Sequence, residues 1–331
     1  MGSDNPRALA IASLLSDGKN PKIFFTGGYG PAPLSDAEHA AIAATPGQEP
    51  LPVKGEYPGW LDEELRRSFG EKLLAEMEAF QVRAPVDLRV NALKAARDQV
   101  MARLHADGIE ALALPGLPDA IRCRPGAALT AHSLYAAGAF EVQDKAAQEA
   151  VMLCAAKPGM RVLDLAAGAG GKSLALAAAM ENRGEIVACD VRQDALAELS
   201  RRAVRAGTAI IRPHHLGPLP DGPFDLVLVD APCSGSGTWR RQPELKWRLT
   251  PERLAQLQDA QDHLLRQAAS VAPERLVYAT CSILPCENQD RADAFLSAHE
   301  EFQRLQSDFH ASPGATGSDG FYAALLGRAN F

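Results

Sequence analysis

The chain has 331 residues, 47% of them hydrophobic, and a formal net charge of −7. Its length suggests about two domains of ordinary size, and its negative charge argues against a generally basic nucleic-acid-binding surface while leaving room for a local basic groove. No stretch is long and apolar enough to suggest a membrane helix, and the N-terminus does not resemble a secretory signal. Six cysteines spread along the chain do not suggest a disulfide framework, so we expect a cytoplasmic protein.

Residues 1–79 are predicted to form an N-terminal helical segment. Helical patches are predicted at Pro6–Ser16 and Ser35–Ala44, with loops rich in proline and glycine between and after them. From Trp60 to Phe80 the apolar residues recur near helical spacing. The early part is too poor in apolar residues to build a large core alone. We therefore expect it to pack on the rest of the chain or to be the remnant of a larger module.

Residues 80–139 are predicted to form a small α+β domain. A short strand is predicted at Asp87–Asn91 and a helix at Ala95–Ala106. A turn follows at Asp107-Gly108, and short apolar runs continue to about Leu129.

From residue 140 to residue 331 the pattern changes to an alternation of strands and helices. The predicted strands are Arg161–Leu165, Glu185–Asp190, Ala209–Ile211, Leu226–Asp230 and Arg275–Thr280. Helices are predicted between them, among them Gln193–Ala206 and Pro251–Ala269. Such alternation indicates an α/β domain with a doubly wound, mostly parallel sheet.

A glycine-rich segment, Ala166–Lys172, joins the first of these strands to the next helix. Its glycines allow positive φ and close approach of the backbone to a ligand, and the helix N-terminus offers free N–H groups to an anion. Asp190 ends the next strand, where a carboxylate accepts hydrogen bonds from ribose hydroxyls. A tight turn with an exposed Asp is the simpler interpretation, but the loop and the acid together favour a nucleotide-like ligand.

Three ligands compete for this loop. A dinucleotide fingerprint needs a glycine where Ser173 stands. A P-loop matches at Gly171-Lys172-Ser173 but not at Ala166, and Leu226–Asp230 would then be the Mg²⁺-binding strand of a P-loop-like nucleotide-binding module. S-adenosylmethionine offers a ribose to Asp190 and a carboxylate to the loop. The loop alone does not separate the last two ligands.

Two cysteines that follow predicted strands favour the methyl donor. Cys233 lies in Asp230-Ala231-Pro232-Cys233, and Cys281 lies in Thr280-Cys281-Ser282. An NTPase has no evident use for them, whereas methyl transfer to carbon-5 of cytosine needs a thiolate that adds to carbon-6. Asp230 is placed to hydrogen-bond the N3/N4 edge of the base, and a general base must then remove the carbon-5 proton. This chemistry needs one attacking thiol and does not choose between the two.

A series of short motifs follows one another from about residue 80 to residue 331. They are Leu88-Arg89-Val90-Asn91, Phe140-Glu141-Val142-Gln143-Asp144, the Ala166–Lys172 loop, Asp230-Ala231-Pro232-Cys233-Ser234-Gly235, Arg240-Arg241-Gln242-Pro243-Glu244-Leu245-Lys246-Trp247, Thr280-Cys281-Ser282 and Gly317-Ser318-Asp319-Gly320-Phe321. In this order they resemble the RsmB/Sun family of RNA cytosine carbon-5 methyltransferases. The resemblance implies a Rossmann-like class I methyltransferase domain preceded by a small RRM- or ferredoxin-like RNA-binding domain.

The resemblance also implies roles for single residues. Cys281 is the expected nucleophile, and Cys233 is expected to help release the product. The residues expected to bind S-adenosylmethionine are Ala166, Ala167, Gly168, Ala169, Gly170, Gly171, Lys172, Asp190 and Asp230. The family usually has proline at position 169. It also has an Asp near the adenine where this chain has Arg212-Pro213-His214-His215, so one of these histidines or a backbone N–H is expected to serve instead.

The resemblance implies an RNA substrate, expected to be 16S rRNA because the N-terminal segment looks like the end of the helical module of the bacterial ribosomal members. A tRNA substrate is the alternative. Basic and aromatic residues after Cys233 are predicted to line an RNA groove: Trp239, Arg240, Arg241, Lys246, Trp247, Arg248 and Arg253. Arg201, Arg202 and Arg205 belong either to this surface or to a solvated helix face.

The other cysteines, Cys123, Cys154, Cys189 and Cys286, are expected to be small buried residues. A zinc site at Cys281, Cys286, His214 and His215 is disfavoured by the spacing of the ligands. We expect a monomer that uses no metal and no membrane.

Overall fold

The structure is a computed structural model that describes residues 5–28, 30–43, 50–215, 217–271 and 273–329. The chain divides into two compact units, residues 1–50 and residues 51–331. The first unit contains helices α1 (Pro6–Ser16) and α2 (Asp36–Ala43), around a core of Ile11, Phe25 and Leu34. The prediction for α1 is confirmed. The second helix begins one residue later than predicted, and the predicted end at Ala44 lies outside the described residues.

The second unit opens with helices α3 (Leu51–Lys54), α4 (Asp62–Phe69) and α5 (Leu73–Gln81). Their buried apolar side chains form one cluster with Trp239, Leu249 and Leu284 from the second half of the chain. Ser68 of α4 donates a hydrogen bond to the backbone oxygen of Ile283 at 2.8 Å. These helices therefore support the segment that follows Cys281.

A small antiparallel sheet comes next. Its elements are β1 (Val86–Val90), α6 (Arg97–Ala106), β2 (Ala111–Ala113), β3 (Ala120–Cys123), α7 (Ser133–Ala136) and β4 (Phe140–Val142), with the strand order β2-β3-β1-β4. Leu88, Val100 and Phe140 are buried in its core. The predicted strand and helix are present, although the helix begins two residues later than predicted.

A larger sheet forms the rest of this unit. Its elements are α8 (Lys145–Leu153), β5 (Arg161–Leu165), α9 (Gly171–Ala179), β6 (Glu185–Asp190), α10 (Gln193–Ala206), β7 (Ile211–His215), β8 (Leu226–Asp230), α11 (Leu245–Arg248), α12 (Pro251–Ser270), β9 (Arg275–Thr280), α13 (Gln289–Ala298), β10 (Phe302–Arg304), β11 (Phe309–Ala311), α14 (Pro313–Thr316) and β12 (Phe321–Arg328). The strand order is β10-β12-β9-β8-β5-β6-β7, and β11 also pairs with β12. The stretch from β9 to β7 is parallel, whereas β12 is antiparallel to β9. The predicted α/β fold is confirmed.

One predicted strand, Ala209–Ile211, is wrong. The strand runs over Ile211–His215 and pairs with β6 from Ile186 to Asp190. The apolar pattern ends at Ile211, but the ladder continues through Pro213, which an edge strand tolerates because its missing N–H can face away from the neighbouring strand. The histidines thus belong to the strand itself rather than to the loop after it.

The strand order reverses between β5 and its neighbours β6 and β8. In open α/β sheets, ligands bind outside the carboxyl ends of the strands at such a switch point. The loops after β5, β8 and β9 leave this edge side by side. None of the described helices is long and apolar enough to cross a membrane.

Candidate active site

The two strand-end cysteines meet at this edge of the sheet. Because β8 and β9 are parallel neighbours, the loops after Asp230 and Thr280 emerge together. The sulfur atoms of Cys233 and Cys281 lie 3.4 Å apart. Both side chains are partly exposed, whereas Cys123, Cys154 and Cys189 are buried as predicted; the prediction is wrong for Cys286, which is also partly exposed. The structure therefore brings together the two thiols that the motifs singled out.

The environment makes the two thiols unequal. The hydrogen bond from Cys233 lowers the pKa of Cys281, the Lys172 ammonium lowers it further, and burial and Asp230 act in the opposite direction. The same hydrogen bond, together with burial, raises the pKa of Cys233 well above its usual value. A thiolate is the nucleophilic form of cysteine. The environment therefore favours a thiolate at Cys281 rather than at Cys233.

An ion pair lies beside the thiols. Lys172 Nζ and Asp230 Oδ2 are 2.5 Å apart, and the ammonium lies 5.1 Å from the ring centroid of Phe321. Burial alone would lower the pKa of Lys172, but Asp230 outweighs it and raises that pKa. The glycine-rich segment thus delivers a positive charge from the start of α9 to the end of β8.

The glycine-rich segment is a tight loop with positive φ at Ala166, Gly168 and Gly170. A Cβ atom at Gly170 would lie 2.6 Å from Leu199 Cγ, so this position has no room for a side chain. The carboxylate of Asp190 holds the loop, because one oxygen accepts from Gly168 N at 2.8 Å and the other from Arg192 N at 2.8 Å. The first oxygen, Oδ2, keeps room for a second hydrogen bond, whereas Oδ1 also accepts from Arg192 Nε at 3.3 Å. The loop and Asp190 therefore fit a ligand that has an anionic group and neighbouring hydroxyls.

The predicted RNA groove after Cys233 needs correction. Arg240 is nearly buried, with ion pairs to Asp319 at 2.6 Å and Asp144 at 3.5 Å. Arg241 bonds the same two carboxylates, and Trp239 and Lys246 are buried. The prediction is wrong for Trp239, Arg240 and Lys246, whose charges and ring stabilise the interior, whereas Arg241 stays exposed. Trp247, Arg248 and Arg253 are exposed.

The remaining sequence-based alternatives concern histidines. His214 Nε2 lies 3.1 Å from the oxygen of Pro218, and His215 Nε2 lies 3.1 Å from the oxygen of Val191. Within the described residues, no group of three or more His, Cys, Asp or Glu side chains could hold a metal ion. The zinc alternative therefore has no set of ligands in this part of the chain.

Sequence reasoning missed Asn288, which shapes the turn around Cys281. Its Oδ1 accepts from Thr280 Oγ1 at 2.5 Å, and its Nδ2 donates to the backbone oxygen of Ser282 at 2.9 Å. Both bonds join residues that are six to eight positions apart, so no periodicity indicates them. A polar pair, Glu287-Asn288, shortly after Thr280-Cys281-Ser282 is the only sign in the sequence.

Comparison with known proteins identifies the family. The family model described as 16S rRNA methyltransferase RsmB/F matches residues 151–327, and the model of the RsmF/B-like ferredoxin-like domain matches residues 57–129. The chain belongs to the RsmB/F family of methyltransferases. Ribosomal RNA small subunit methyltransferase B of Klebsiella pneumoniae is 33% identical over 288 residues, which cover 83% of this chain and 67% of that protein.

Solved structures agree with this RsmB/F assignment. A methyltransferase homolog from Pyrococcus horikoshii has 25% identity and a TM-score of 0.74, with 84% of this chain and 97% of that chain covered. NSun6 from Pyrococcus horikoshii, solved with SFG, shares the fold at 17% identity and a TM-score of 0.75, with 83% of this chain and 99% of that chain covered. The predicted resemblance is confirmed, and the RsmB/F protein is an RNA methyltransferase with a ferredoxin-like domain before a Rossmann-like domain.

Proposed function

We propose that this RsmB/F protein transfers a methyl group from S-adenosylmethionine to carbon-5 of a cytosine in 16S rRNA, through a covalent adduct with Cys281. The 3.4 Å approach of Cys281 and Cys233 at the carboxyl ends of β9 and β8 carries the proposal. A methyl transfer to an acidic N–H or O–H group needs no thiol pair, whereas carbon-5 of cytosine is inert until a nucleophile has added to carbon-6.

The residues of the cofactor site fit S-adenosylmethionine. The loop Ala166–Lys172 and the N-terminus of α9 would take the carboxylate, and Asp190 would accept from the ribose hydroxyls, with Asp230 at the inner end. Bound there, the cofactor supplies an electrophilic methyl group. Lys172, the last residue of the loop, bonds at 2.5 Å to Asp230, which precedes Cys233 by three residues.

In the attack step, the Cys281 thiolate adds to carbon-6 of the cytosine. Asp230 accepts a hydrogen bond from the exocyclic amino group, which orients the base. The Lys172 ammonium, which Asp230 holds in place, compensates the negative charge that attack pushes into the ring. Carbon-5 then has the enamine character that methyl transfer needs.

In the release step, a general base removes the carbon-5 proton and the bond between Cys281 and carbon-6 breaks. The sulfur leaves as a thiolate, and the pKa of Cys281 is lowered chiefly by the hydrogen bond from Cys233. The proton that Cys233 retains therefore stabilises the leaving group. This gives Cys233 a role in release without making it a second nucleophile.

Bisulfite sequencing of total RNA tests this function. Cells that lack the protein, or that carry only Cys281→Ala, are expected to lose protection at a cytosine of 16S rRNA, while the purified variant still binds S-adenosylmethionine in calorimetry. Loss of a protected cytosine in tRNA instead would move the substrate to tRNA. Unchanged protection in every RNA would contradict cytosine methylation. We also expect a cytoplasmic protein that acts as a monomer. Sedimentation of the purified chain would check its oligomeric state.

A further inference from the structure

Glu287 is a fully buried carboxylate that lies between the two cysteine loops. Its Oε2 atom accepts from Ser234 Oγ at 2.5 Å and from Ser282 Oγ at 2.6 Å. Its Oε1 atom accepts from Ser234 N at 2.8 Å and from Gln261 Nε2 at 3.1 Å. Ser234 directly follows Cys233, and Ser282 directly follows Cys281. One carboxylate thus joins the residues next to both thiols.

The direction of these hydrogen bonds requires a group that only accepts. Ser282 donates its single hydroxyl proton to Glu287, so it must accept from Ser236 Oγ at 2.9 Å and from Leu284 N at 3.0 Å. Ser236 Oγ in turn accepts from Ile283 N at 2.9 Å. The hydroxyl protons of Ser234 and Ser282 are therefore directed to the carboxylate, and that of Ser236 is directed to Ser282 Oγ. An amide in place of the carboxylate would offer a donor where two serine hydroxyls already donate.

The backbone around Glu287 is also fixed. Its carbonyl oxygen accepts from Tyr278 Oη at 2.5 Å, and its N–H donates to the oxygen of Leu284 at 3.0 Å. Gln261, which reaches the carboxylate from α12, also donates to the oxygen of Pro232 at 3.0 Å. Glu287 is thus anchored to strand β9 and helix α12, so its carboxylate can hold the two cysteine loops at a fixed distance from each other.

We propose that Glu287 is a positioning residue that sets the distance between the sulfur atoms of Cys233 and Cys281. It touches neither sulfur and acts through Ser234 and Ser282. The inference rests on the proposed function for its purpose, because only the Cys233–Cys281 hydrogen bond couples attack to release. When Glu287 is replaced, the two loops separate, Cys281 loses its hydrogen-bond donor, and product release slows more than attack.

A thiol-oxidation rate tests the spacing without any RNA. Diamide accepts two electrons and two protons from a pair of thiols, becoming a hydrazine as the disulfide forms. Mass spectrometry of the native protein would follow the Cys233–Cys281 disulfide. We expect Glu287→Gln to slow its formation about tenfold or more, because a displacement of about 1 Å is enough for such losses.

Glu76→Gln is the matched control. Glu76 is also buried, and its carboxylate accepts from Gly314 N at 3.0 Å, but it bonds neither cysteine loop. We expect wild-type disulfide formation in this variant. If Glu287→Gln does not fold, Ser234→Ala and Ser282→Ala each remove one arm of the network and should each slow the disulfide. A wild-type rate in a folded Glu287→Gln protein, or in both serine variants, would overturn the proposal.

The enzymatic arm separates this inference from the proposed function. In a methylation reaction, Glu287→Gln should accumulate a covalent protein–RNA species that wild-type protein does not. If wild-type protein itself fails to methylate RNA, the proposed function fails while the disulfide rate still reports on the spacing. If wild-type protein methylates and the variant turns over at the wild-type rate without accumulating adduct, the positioning role is contradicted.

Discussion

At the residue scale, two neighbouring thiols differ in their readiness to lose a proton. Cys281 has a lowered pKa because Cys233 donates to it and Lys172 lies close, whereas Cys233 has a raised pKa. The hydrogen bond between the two sulfur atoms is the first cause of both shifts, ahead of burial. The chemistry of methyl transfer did not choose between them, and the family resemblance assigned attack to Cys281; the shared hydrogen bond is a property of the folded pair.

Alkylation kinetics test this inequality. The rate of reaction with iodoacetamide follows the thiolate fraction and therefore rises with pH through the pKa of each thiol. We expect Cys281 to react at a lower pH than Cys233. Cys233→Ala should shift the Cys281 midpoint upward, because it removes the hydrogen bond that lowers the pKa, and Asp230→Asn should shift it downward, because it removes a negative charge.

The control for this titration is Cys286→Ala. Burial raises the pKa of Cys286, and its backbone N–H bonds Glu64 rather than the thiol pair. The Cys281 midpoint should not move in this variant. A Cys281 midpoint at or above that of Cys233, measured by peptide mass spectrometry over a pH series, would contradict the assignment of the nucleophile.

At the element scale, most of the central sheet could be predicted from the sequence. Strands β5, β6, β8 and β9 have the predicted bounds, because strands buried on both faces read as continuous apolar runs. The bounds of strand β7 could not be predicted, because Ile211 is followed by polar residues and by Pro213. The burial of Arg240 could not be predicted either, since its partners Asp144 and Asp319 are 96 and 79 residues away.

The loop after β5 makes a prediction about Gly170. Gly170→Ala places a Cβ atom 2.6 Å from Leu199 Cγ at a φ of +79°, and overpacking of this kind costs about 1–3 kcal/mol. We expect a lower thermal midpoint and weaker binding of S-adenosylmethionine in calorimetry. Gly108→Ala is the control, because Gly108 has a φ of +76° with open space around it. If both substitutions lower the thermal midpoint equally, the contact with Leu199 of α10 does not cause the effect at Gly170.

The segment after β8 separates structural from RNA-binding arginines. We expect Arg240→Ala to lower the free energy of unfolding by about 3–5 kcal/mol, the cost of breaking a buried ion pair. The change removes one of the two arginines that pair with Asp144 and Asp319. Arg248 is exposed, so Arg248→Ala should change the free energy of unfolding by less than about 0.5 kcal/mol. If Arg248 contacts RNA phosphate, its loss should lower the salt dependence of RNA affinity. Urea unfolding would measure the free energy of unfolding, and filter binding at several salt concentrations would measure RNA affinity. An Arg248→Ala protein as destabilised as Arg240→Ala would contradict a surface role for Arg248.

At the scale of the whole molecule, the chain combines a small antiparallel sheet with a methyltransferase sheet, as the motifs indicated. Helices α4 and α5 pack in one cluster with Trp239, which follows Cys233 in the chain, and Leu284, which follows Cys281. The division of the chain at residues 79/80 and 139/140 stays a prediction. So does the choice of 16S rRNA, because substrate choice depends on surfaces that meet RNA and not on the chemistry of the thiols.

Formation of a covalent adduct between Cys281 and RNA can be observed on a denaturing gel. Cys233→Ala and Cys233→Ala/Cys281→Ala proteins would each be incubated with S-adenosylmethionine and 16S rRNA from cells that lack the protein. The single variant should give a slowly migrating protein–RNA band, because Cys281 still attacks while release is impaired, and the double variant should give none. A band in the double variant, or no band from a single variant that methylates at the wild-type rate, would contradict covalent attack by Cys281.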